Sequence, residues 1–199
     1  MIVVDIETSG LYPEKHGIWQ IGALDFYNPE NTFLEEARID NEDQVEVGAL
    51  KVTGKTSAYL RNIGKQSEKQ LLKHFFTWTK TAKIKNPLCQ NPQFDLGFIT
   101  YKARKYELNY PLHHRAFDLH SIAQLRYSQL NGELLLKENH SDMGLSKILE
   151  FCGLEDNRKE HSALEDAKLT AECFSRIAKG ISLFSQYSHY KVPGYLKWY

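Results

Sequence analysis

The chain has 199 residues and a formal net charge of zero, with 42% hydrophobic and 25% charged residues. This composition fits one domain with a substantial core, and no apolar run approaches the length of a membrane span. The zero net charge excludes an overall basic surface, so any contact with nucleic acid must be confined to a local site. The N-terminus has no signal-peptide pattern, and three scattered cysteines argue against a disulfide framework or a zinc cluster. We therefore expect a cytoplasmic protein.

Hydrophobic periodicity predicts alternating strands and helices. Strands are expected at residues 2–7, 17–26, 32–39, 85–90 and 116–119. Helices are expected at residues 45–52, from 67, from 92, and at 121–127, 144–151 and 162–179. A boundary is expected after Gly180, which divides the chain into a domain of residues 1–180 and an aromatic, lysine-bearing tail of residues 181–199.

Two acidic residues lie on one face of the first strand. Because side chains alternate along a strand, Asp5 and Glu7 point to the same side, while Val4 and Ile6 point to the other. Two neighbouring carboxylates at the end of a buried strand repel each other and are costly to desolvate. A bound metal cation is the commonest way to offset this repulsion, so the pair is a candidate metal site.

A third acid lies just after a later strand. Asn91 and Pro92 form a good N-cap and first-turn pair, which predicts a helix start there. Asp95 then falls in the first helical turn, where the helix dipole favours a carboxylate. Taken alone, Asp95 is more typical of ordinary decoration of a helix start.

The start of the last long helix carries a histidine and two further acids. Ser162 and Glu165 fit a capping box, which would occupy Glu165 and leave Asp166 to face a site. His161 precedes the helix and is expected near the same site without being a metal ligand. Taken alone, His161 is also consistent with a surface loop histidine.

Together, these segments resemble the DEDDh exonucleases, a family named for the four acids and one histidine of its sites. The resemblance rests on DIETSGL at residues 5–11, ALKVTG at 49–54, NPQFD at 91–95 and HSALEDA at 161–167. It spans roughly residues 2–178, and three ordered motifs make chance agreement improbable. Two departures are Gln90, where many members have histidine, and Trp19, where members often have an aliphatic residue.

The resemblance implies an RNase H-like α/β fold with a central mixed five-stranded sheet flanked by helices. It also implies a 3′-to-5′ exonuclease that holds two divalent ions, Mg²⁺ or Mn²⁺, and releases nucleoside 5′-monophosphates. The implied catalytic residues are Asp5, Glu7, Asp95, His161 and Asp166, of which the four acids bind metal and His161 acts as general base.

Further residues are expected to hold the terminal nucleotide of a single-stranded DNA or RNA 3′ end. These candidates are Thr8, Ser9, Gly10, Leu11, Asn91 and Phe94. Leu11 and Phe94 are equally consistent with core packing. The tail is expected to pack on the domain or to reach a partner.

Three alternatives remain open at this point. Thr8 follows the glutamate where oligoribonucleases typically have methionine, which favours DNA, but RNA trimming stays possible. A non-catalytic nucleic-acid-binding or scaffold module on the same fold is the rival from another class. No membrane partner is expected, and a homodimer or a polymerase partner remains undetermined.

Overall fold

A mixed five-stranded sheet forms the centre of the part of the chain described by the computed structural model, residues 1–158 and 162–197. The strands are β1 (Ile2–Thr8), β2 (Ile18–Asp25), β3 (Asn28–Glu36), β4 (Pro87–Cys89) and β5 (Phe117–Asp118). The strand order is β3-β2-β1-β4-β5. Antiparallel pairing joins β1 to β2 and β2 to β3, whereas β4 pairs parallel with β1 and with β5. The predicted fold class is confirmed.

Helices cover both faces of this sheet. They are α1 (Val47–Thr53), α2 (Ser57–Leu60), α3 (Glu68–Trp78), α4 (Pro92–Lys105), α5 (Leu119–Asn131), α6 (Leu145–Phe151) and α7 (Ala163–Lys179). Short 3₁₀ helices lie at Thr79–Thr81, Ser185–Tyr187 and Gly194–Leu196. Within the described ranges, no helix is both long enough and apolar enough to cross a bilayer.

The third strand and a small hairpin differ from the sequence prediction, and the short helix α2 was not predicted. The third strand begins four residues earlier than expected, because a tight turn at Phe26 and Tyr27 pairs Asp25 directly with Asn28. Only Phe33 is buried in this edge strand, which also tolerates Pro29, so its apolar alternation is weak. A small hairpin of β6 (Leu136–Lys137) and β7 (His140–Ser141) was expected to be loop. Its turn residues Glu138 and Asn139 have positive φ without any glycine to signal it.

The two faces of β1 and β2 pack against different helices. On one face, Val3 and Leu24 belong to a core that includes residues of α5, α6 and α7. On the other face, Val4 and Ile21 pack with residues of α3 and α4. The side-chain alternation predicted from the sequence therefore separates two hydrophobic layers, and Asp5 and Glu7 lie on the α7 side.

The N-terminus of α7 rests directly on β2. Gly22 is the cross-strand neighbour of Asp5, and any Cβ there would overlap the backbone of Ala163 and Leu164. Gln20, the neighbour of Glu7, accepts a hydrogen bond from Ala163 N at 2.9 Å. The two β2 residues beside the acid pair thus hold the start of α7 in place.

The tail packs back on α7 through a buried ion pair. Glu172 and Arg176 are fully buried, with Arg176 Nε 2.6 Å from Glu172 Oε1. Glu172 Oε2 accepts hydrogen bonds from Leu183 N at 2.8 Å and Phe184 N at 3.0 Å. Arg176 donates to the carbonyls of Tyr187 and Tyr190 at 3.0 and 3.1 Å. Both charges are therefore satisfied by the backbone of the segment that they fix.

Replacing Gly22 by alanine tests the close approach of α7 to β2. We expect Gly22→Ala to lower the free energy of unfolding by about 1–3 kcal/mol, because the methyl group must displace helix backbone. Thermal unfolding followed by circular dichroism measures this change. Gly97→Ala in α4 is the matched control, since a Cβ there meets no atom within 4 Å. Its stability is expected to stay constant or rise by up to about 1 kcal/mol. Equal stability of the Gly22→Ala and Gly97→Ala proteins would contradict the argument.

Candidate active site

The end of β1 presents the acid pair predicted from the sequence. Asp5 is partly exposed, whereas Glu7 is 8% exposed. The pairing of β1 with β2 shifts register between Glu7 and Thr8, so that Thr8 pairs with Ile18. Such an irregularity bends a strand and ends regular pairing, which opens space beside its last side chains.

Asp95 joins this pair from α4. The helix begins at Pro92 as predicted, and Asp95 lies in its first turn with only 5% exposure. Its Oδ1 accepts a hydrogen bond from Ile6 N at 3.1 Å, which fixes the carboxylate against the middle of β1. The position of Asp95 is thus set by β1 itself and is more than the decoration of a helix start.

Asp166 completes the cluster from the opposite side. It lies in the first turn of α7 and is 4% exposed. Carboxylate oxygens of Asp5, Glu7 and Asp166 lie within 4.8 Å of one another. These three acids and Asp95 line one cavity of about 230 Å³. The structure therefore brings together all four acids of the predicted site.

The predicted capping box at the start of α7 is wrong. Ser162 occupies the N-cap position, but its side chain makes no capping hydrogen bond. The side chain of Gln20 receives the Ala163 N–H instead, and Glu165 accepts a hydrogen bond from Tyr187 in the tail at 2.7 Å. Glu165 is occupied as expected, though by a tertiary contact. His161, the predicted general base, lies outside the described residues.

The cluster is electrostatically unfavourable without a cation. Burial, followed by the charges of Asp166 and Asp95, raises the pKa of Glu7 from 4.5 to about 8. Burial also raises the pKa of Asp95 to about 7 and that of Asp5 well above its ordinary value. Protons therefore neutralise part of this cluster at neutral pH unless a cation replaces them.

In a second acid cluster, a buried lysine lies beside the carboxylates. Asp43 and Glu68 are buried, and the buried ammonium of Lys102 lies 3.0 Å from Asp43 and 3.4 Å from Glu68. Glu68 also accepts hydrogen bonds from Ile18 N and the Tyr106 hydroxyl, both at 2.5 Å. Lys102 thus supplies positive charge to the carboxylates of this cluster. In the first cluster a metal ion would supply that charge, and its carboxylate oxygens suit Mg²⁺ or Mn²⁺.

Among the side chains that the structure describes, the cation that contacts the first cluster is Arg158, and the sequence did not signal it. Its guanidinium lies 3.1 Å from Asp166 Oδ1 and lines the same cavity. On its other edge, the guanidinium donates to Asp156 from Nε at 2.8 Å and from one terminal nitrogen at 2.7 Å. The same terminal nitrogen donates to Ser146 Oγ at 3.0 Å. Because Ser146 lies on α6, only tertiary packing creates this contact, and no local motif predicts it.

A second cavity of about 290 Å³ adjoins the first through Ile6, Glu7 and Phe94. Thr8, Gly10, Leu11 and residues of α1 also line it, and Asn91 lines the first cavity. Leu11 is 63% exposed, which excludes core packing for this residue. Phe94 is half-buried against Phe98, with ring centroids 5.1 Å apart, so it serves both packing and the cavity wall.

Ser9 is not placed at either cavity. It is fully buried, and its Oγ donates to the Gln44 carbonyl at 2.6 Å and accepts from Gly17 N at 3.0 Å. Its backbone N–H donates to Gly17, and its carbonyl accepts from Glu46. Every polar group of Ser9 is occupied inside the protein, so its predicted contact with a nucleotide is corrected to a structural role in the turn.

Comparison with known proteins identifies the family. The exonuclease family model matches residues 2–174. A ribonuclease T from Vibrio campbellii is 29% identical over 192 residues, covering 88% of this chain and 84% of the relative. DNA polymerase III subunit epsilon from Haemophilus influenzae is 26% identical over 191 residues, covering 90% and 67%.

A solved structure agrees with this family at the level of the fold. The nuclease domain of 3'hExo, a DEDDh family member bound to rAMP, superposes with a TM-score of 0.65 at 20% identity. The match covers 96% of this chain and 94% of that domain. The chain therefore belongs to the exonuclease family, and the prediction of an exonuclease is confirmed.

The raised carboxylate pKa values predict that the acid cluster destabilises the metal-free protein. Folded Glu7, with its pKa raised from 4.5 to about 8, keeps a proton that the unfolded chain releases above pH 4.5. Stability without metal should therefore fall as pH rises from about 4.5 to about 8. We expect Glu7→Gln to raise stability at pH 8 by about 1–3 kcal/mol, or roughly 2–10 °C in Tm, and much less near pH 4.5.

Thermal unfolding in EDTA at several pH values measures this effect. Exposed Glu30 provides the matched control, because Glu30→Gln removes an equal charge far from any buried cluster. A Glu7→Gln protein that is less stable than the wild type at pH 8 would contradict the electrostatic argument.

Proposed function

We propose that this protein is a metal-dependent exonuclease that removes nucleotides from the 3′ end of single-stranded nucleic acid, with DNA favoured, and releases nucleoside 5′-monophosphates. The observation that carries this proposal is the cluster of Asp5, Glu7 and Asp166, joined by Asp95 around a cavity that opens beside a second, mostly apolar cavity. We also propose that residues 1–180 form the catalytic domain and that the protein is cytoplasmic.

The four acids fit two divalent cations by their chemistry. Asp5, Glu7 and Asp166 would supply oxygens to one ion, and Asp5 and Asp95 to the other. Two such ions activate the attacking water and offset the charge that develops on the phosphate and the leaving oxygen. The protein contributes the fixed positions of these acids, which the Ile6–Asp95 hydrogen bond and the docking of α7 on β2 determine.

His161 would accept the proton of the attacking water. It precedes Asp166 by five positions in the sequence. A neutral imidazole near its ordinary pKa of about 6.5 suits this role at physiological pH.

The terminal nucleotide would occupy the second cavity. Its apolar lining, with Leu11 exposed at one side and Phe94 at the junction with the acid cluster, suits a base held by stacking and apolar contact. Thr8 and Gly10 border the cavity near Glu7, and Asn91 borders the acid cluster. Such contacts accept any base, as an exonuclease requires.

The relatives support activity on nucleic acid and leave the sugar to be tested. One is named for a ribonuclease and another for a DNA polymerase subunit, and the solved neighbour holds rAMP. Thr8 after Glu7 favours DNA, whereas the ribonuclease T relative favours RNA trimming as the second candidate. The polymerase-subunit name makes a polymerase a candidate partner for this chain.

Digestion of labelled oligonucleotides tests the proposal. With Mg²⁺ or Mn²⁺, single-stranded DNA labelled at the 5′ end should shorten by one nucleotide at a time, while a 3′ label should appear at once as mononucleotide. RNA of the same sequence should be degraded more slowly. Asp166→Asn should reduce the rate by at least about 10³-fold, because a ligand charge is lost at the reacting centre.

Glu133→Gln at an exposed position is the charge-matched control for the digestion. A wild-type protein that binds but never shortens the oligonucleotides would favour the scaffold hypothesis. Faster degradation of RNA than of DNA would overturn only the sugar preference.

Replacement of His161 tests the general base separately. We expect His161→Asn to lower kcat by about 10²–10⁴-fold while Mn²⁺ and oligonucleotide binding persist. The wild-type rate should rise with pH through the region near 6.5, and this rise should vanish in the variant. His114→Asn, at an exposed position, is the control. A His161→Asn protein with the wild-type rate and pH profile would remove the assignment.

A further inference from the structure

Arg158 stands out because a buried guanidinium has been built into a cavity otherwise dominated by acids. Its side chain is only 10% exposed. Of the described residues that line the acid-cluster cavity, it is the cationic one, beside Asp5, Glu7, Asp95 and Asp166. A substrate phosphate that enters this cavity would meet four carboxylates, so a fixed positive charge has an evident electrostatic use there.

The guanidinium is held in a defined orientation. Asp156 accepts from Nε at 2.8 Å and from one terminal nitrogen at 2.7 Å, which is the planar two-point grip that arginine allows. Ser146 Oγ accepts from the same terminal nitrogen at 3.0 Å and donates to Asp156 Oδ2 at 2.6 Å. These contacts use every N–H of Nε and of one terminal nitrogen. The acceptor residues are Ser146 on α6 and Asp156 in the segment before α7.

The remaining terminal nitrogen points toward the reacting centre. It lies 3.1 Å from Asp166 Oδ1, an oxygen of the proposed metal-binding cluster. That nitrogen has two N–H groups. The contact with Asp166 uses one, and no acceptor for the second is found within residues 1–158 and 162–197. A nitrogen that neighbours Asp166 is also near any phosphate held by an ion on Asp166.

We infer that Arg158 binds a phosphate of the substrate strand beside the acid cluster, donating the second N–H of this terminal nitrogen to a non-bridging phosphate oxygen. This role rests on the proposed exonuclease function and adds a contact outside the five motif residues. Asp156 and Ser146 orient the guanidinium, and Asp166 couples it to the metal site. The contact is specific to phosphate geometry and independent of the base.

Arg158→Gln is the central variant, with Arg104→Gln as the matched control at an exposed position of α4. Binding of a short fluorescein-labelled single-stranded DNA is measured in Ca²⁺, and nucleotide release is measured in Mg²⁺. We expect Arg158→Gln to weaken DNA binding and raise KM by about 10–100-fold, which corresponds to one charge-assisted hydrogen bond. The slope of log affinity against log salt should decrease by about 0.7–1.

A purely structural role would give a different pattern. If Arg158 only positions Asp166, Arg158→Gln should weaken Mn²⁺ binding, measured calorimetrically without DNA, and leave DNA affinity at saturating metal unchanged. That result would overturn the inference, as would DNA binding and kinetics equal to those of Arg104→Gln. We expect Mn²⁺ binding to Arg158→Gln to be no weaker than to the wild type.

Two further variants keep the test decisive if Arg158→Gln folds poorly. Arg158→Lys keeps the charge but loses the planar grip, so it should retain the salt slope and still raise KM several-fold. A wild-type KM in Arg158→Lys would overturn the inference. Asp156→Asn should also raise KM, by a smaller factor than Arg158→Gln does. A wild-type KM in Asp156→Asn would also contradict the phosphate contact of Arg158.

Failure of the proposed function is distinguishable from failure of this inference. A wild-type protein without nucleotide release would contradict the exonuclease proposal, while the Ca²⁺ binding comparison would still test Arg158. An active wild type with an unaffected Arg158→Gln variant would contradict only the phosphate contact.

Discussion

The docking of α7 on β2 is the constraint on which the active site depends. Gly22 faces the helix backbone with no side chain, and Gln20 supplies the oxygen that receives the first helical N–H. These residues are the cross-strand neighbours of Asp5 and Glu7. The strand that pairs with the acid pair is therefore also the strand that holds Asp166 opposite to it. A side chain at position 22 would separate the two halves of the site without removing a single ligand.

The molecule neutralises buried carboxylates in three distinct ways. Glu172 is balanced by Arg176 and by backbone N–H groups of the tail, and Asp43 and Glu68 are balanced by Lys102. Both arrangements hold segments together, because each buried charge is paired with a side chain or backbone group of another segment. The acid cluster at β1 differs, since only Asp166 has a cationic contact there among the described residues. Protons relieve part of the repulsion among its carboxylates in the metal-free protein, and metal cations would replace these protons, so the cluster is suited to hold metal.

The sequence predicted the parts of the site that local geometry determines. Strand alternation places Asp5 and Glu7 together, and the Asn91–Pro92 helix start places Asp95 in a first turn. The motif order added Asp166, and the five-stranded sheet followed from the same resemblance. Contacts between segments that are distant in the sequence could not be predicted from local patterns. The cap of α7 comes from Gln20, and Arg158 is oriented partly by Ser146 on α6. Ser9 was misassigned because its partners Gly17 and Gln44 become neighbours only when the turn closes.

The second cavity combines a rigid polar side with a more adaptable apolar side. His16 is buried and contacts the backbone of Tyr12 at 3.0 Å, and a Cβ at Gly10 would overlap its ring. Together with Ser9, these contacts fix the turn that follows β1. Leu11 and Val52, by contrast, are 63% and 54% exposed at the cavity's edge. In the proposed function, the backbone fixed beside Glu7 would set where a sugar and phosphate lie, while the exposed apolar side chains would contact bases of different size. This division would let one site cut at a fixed bond and still accept each base that reaches it in turn.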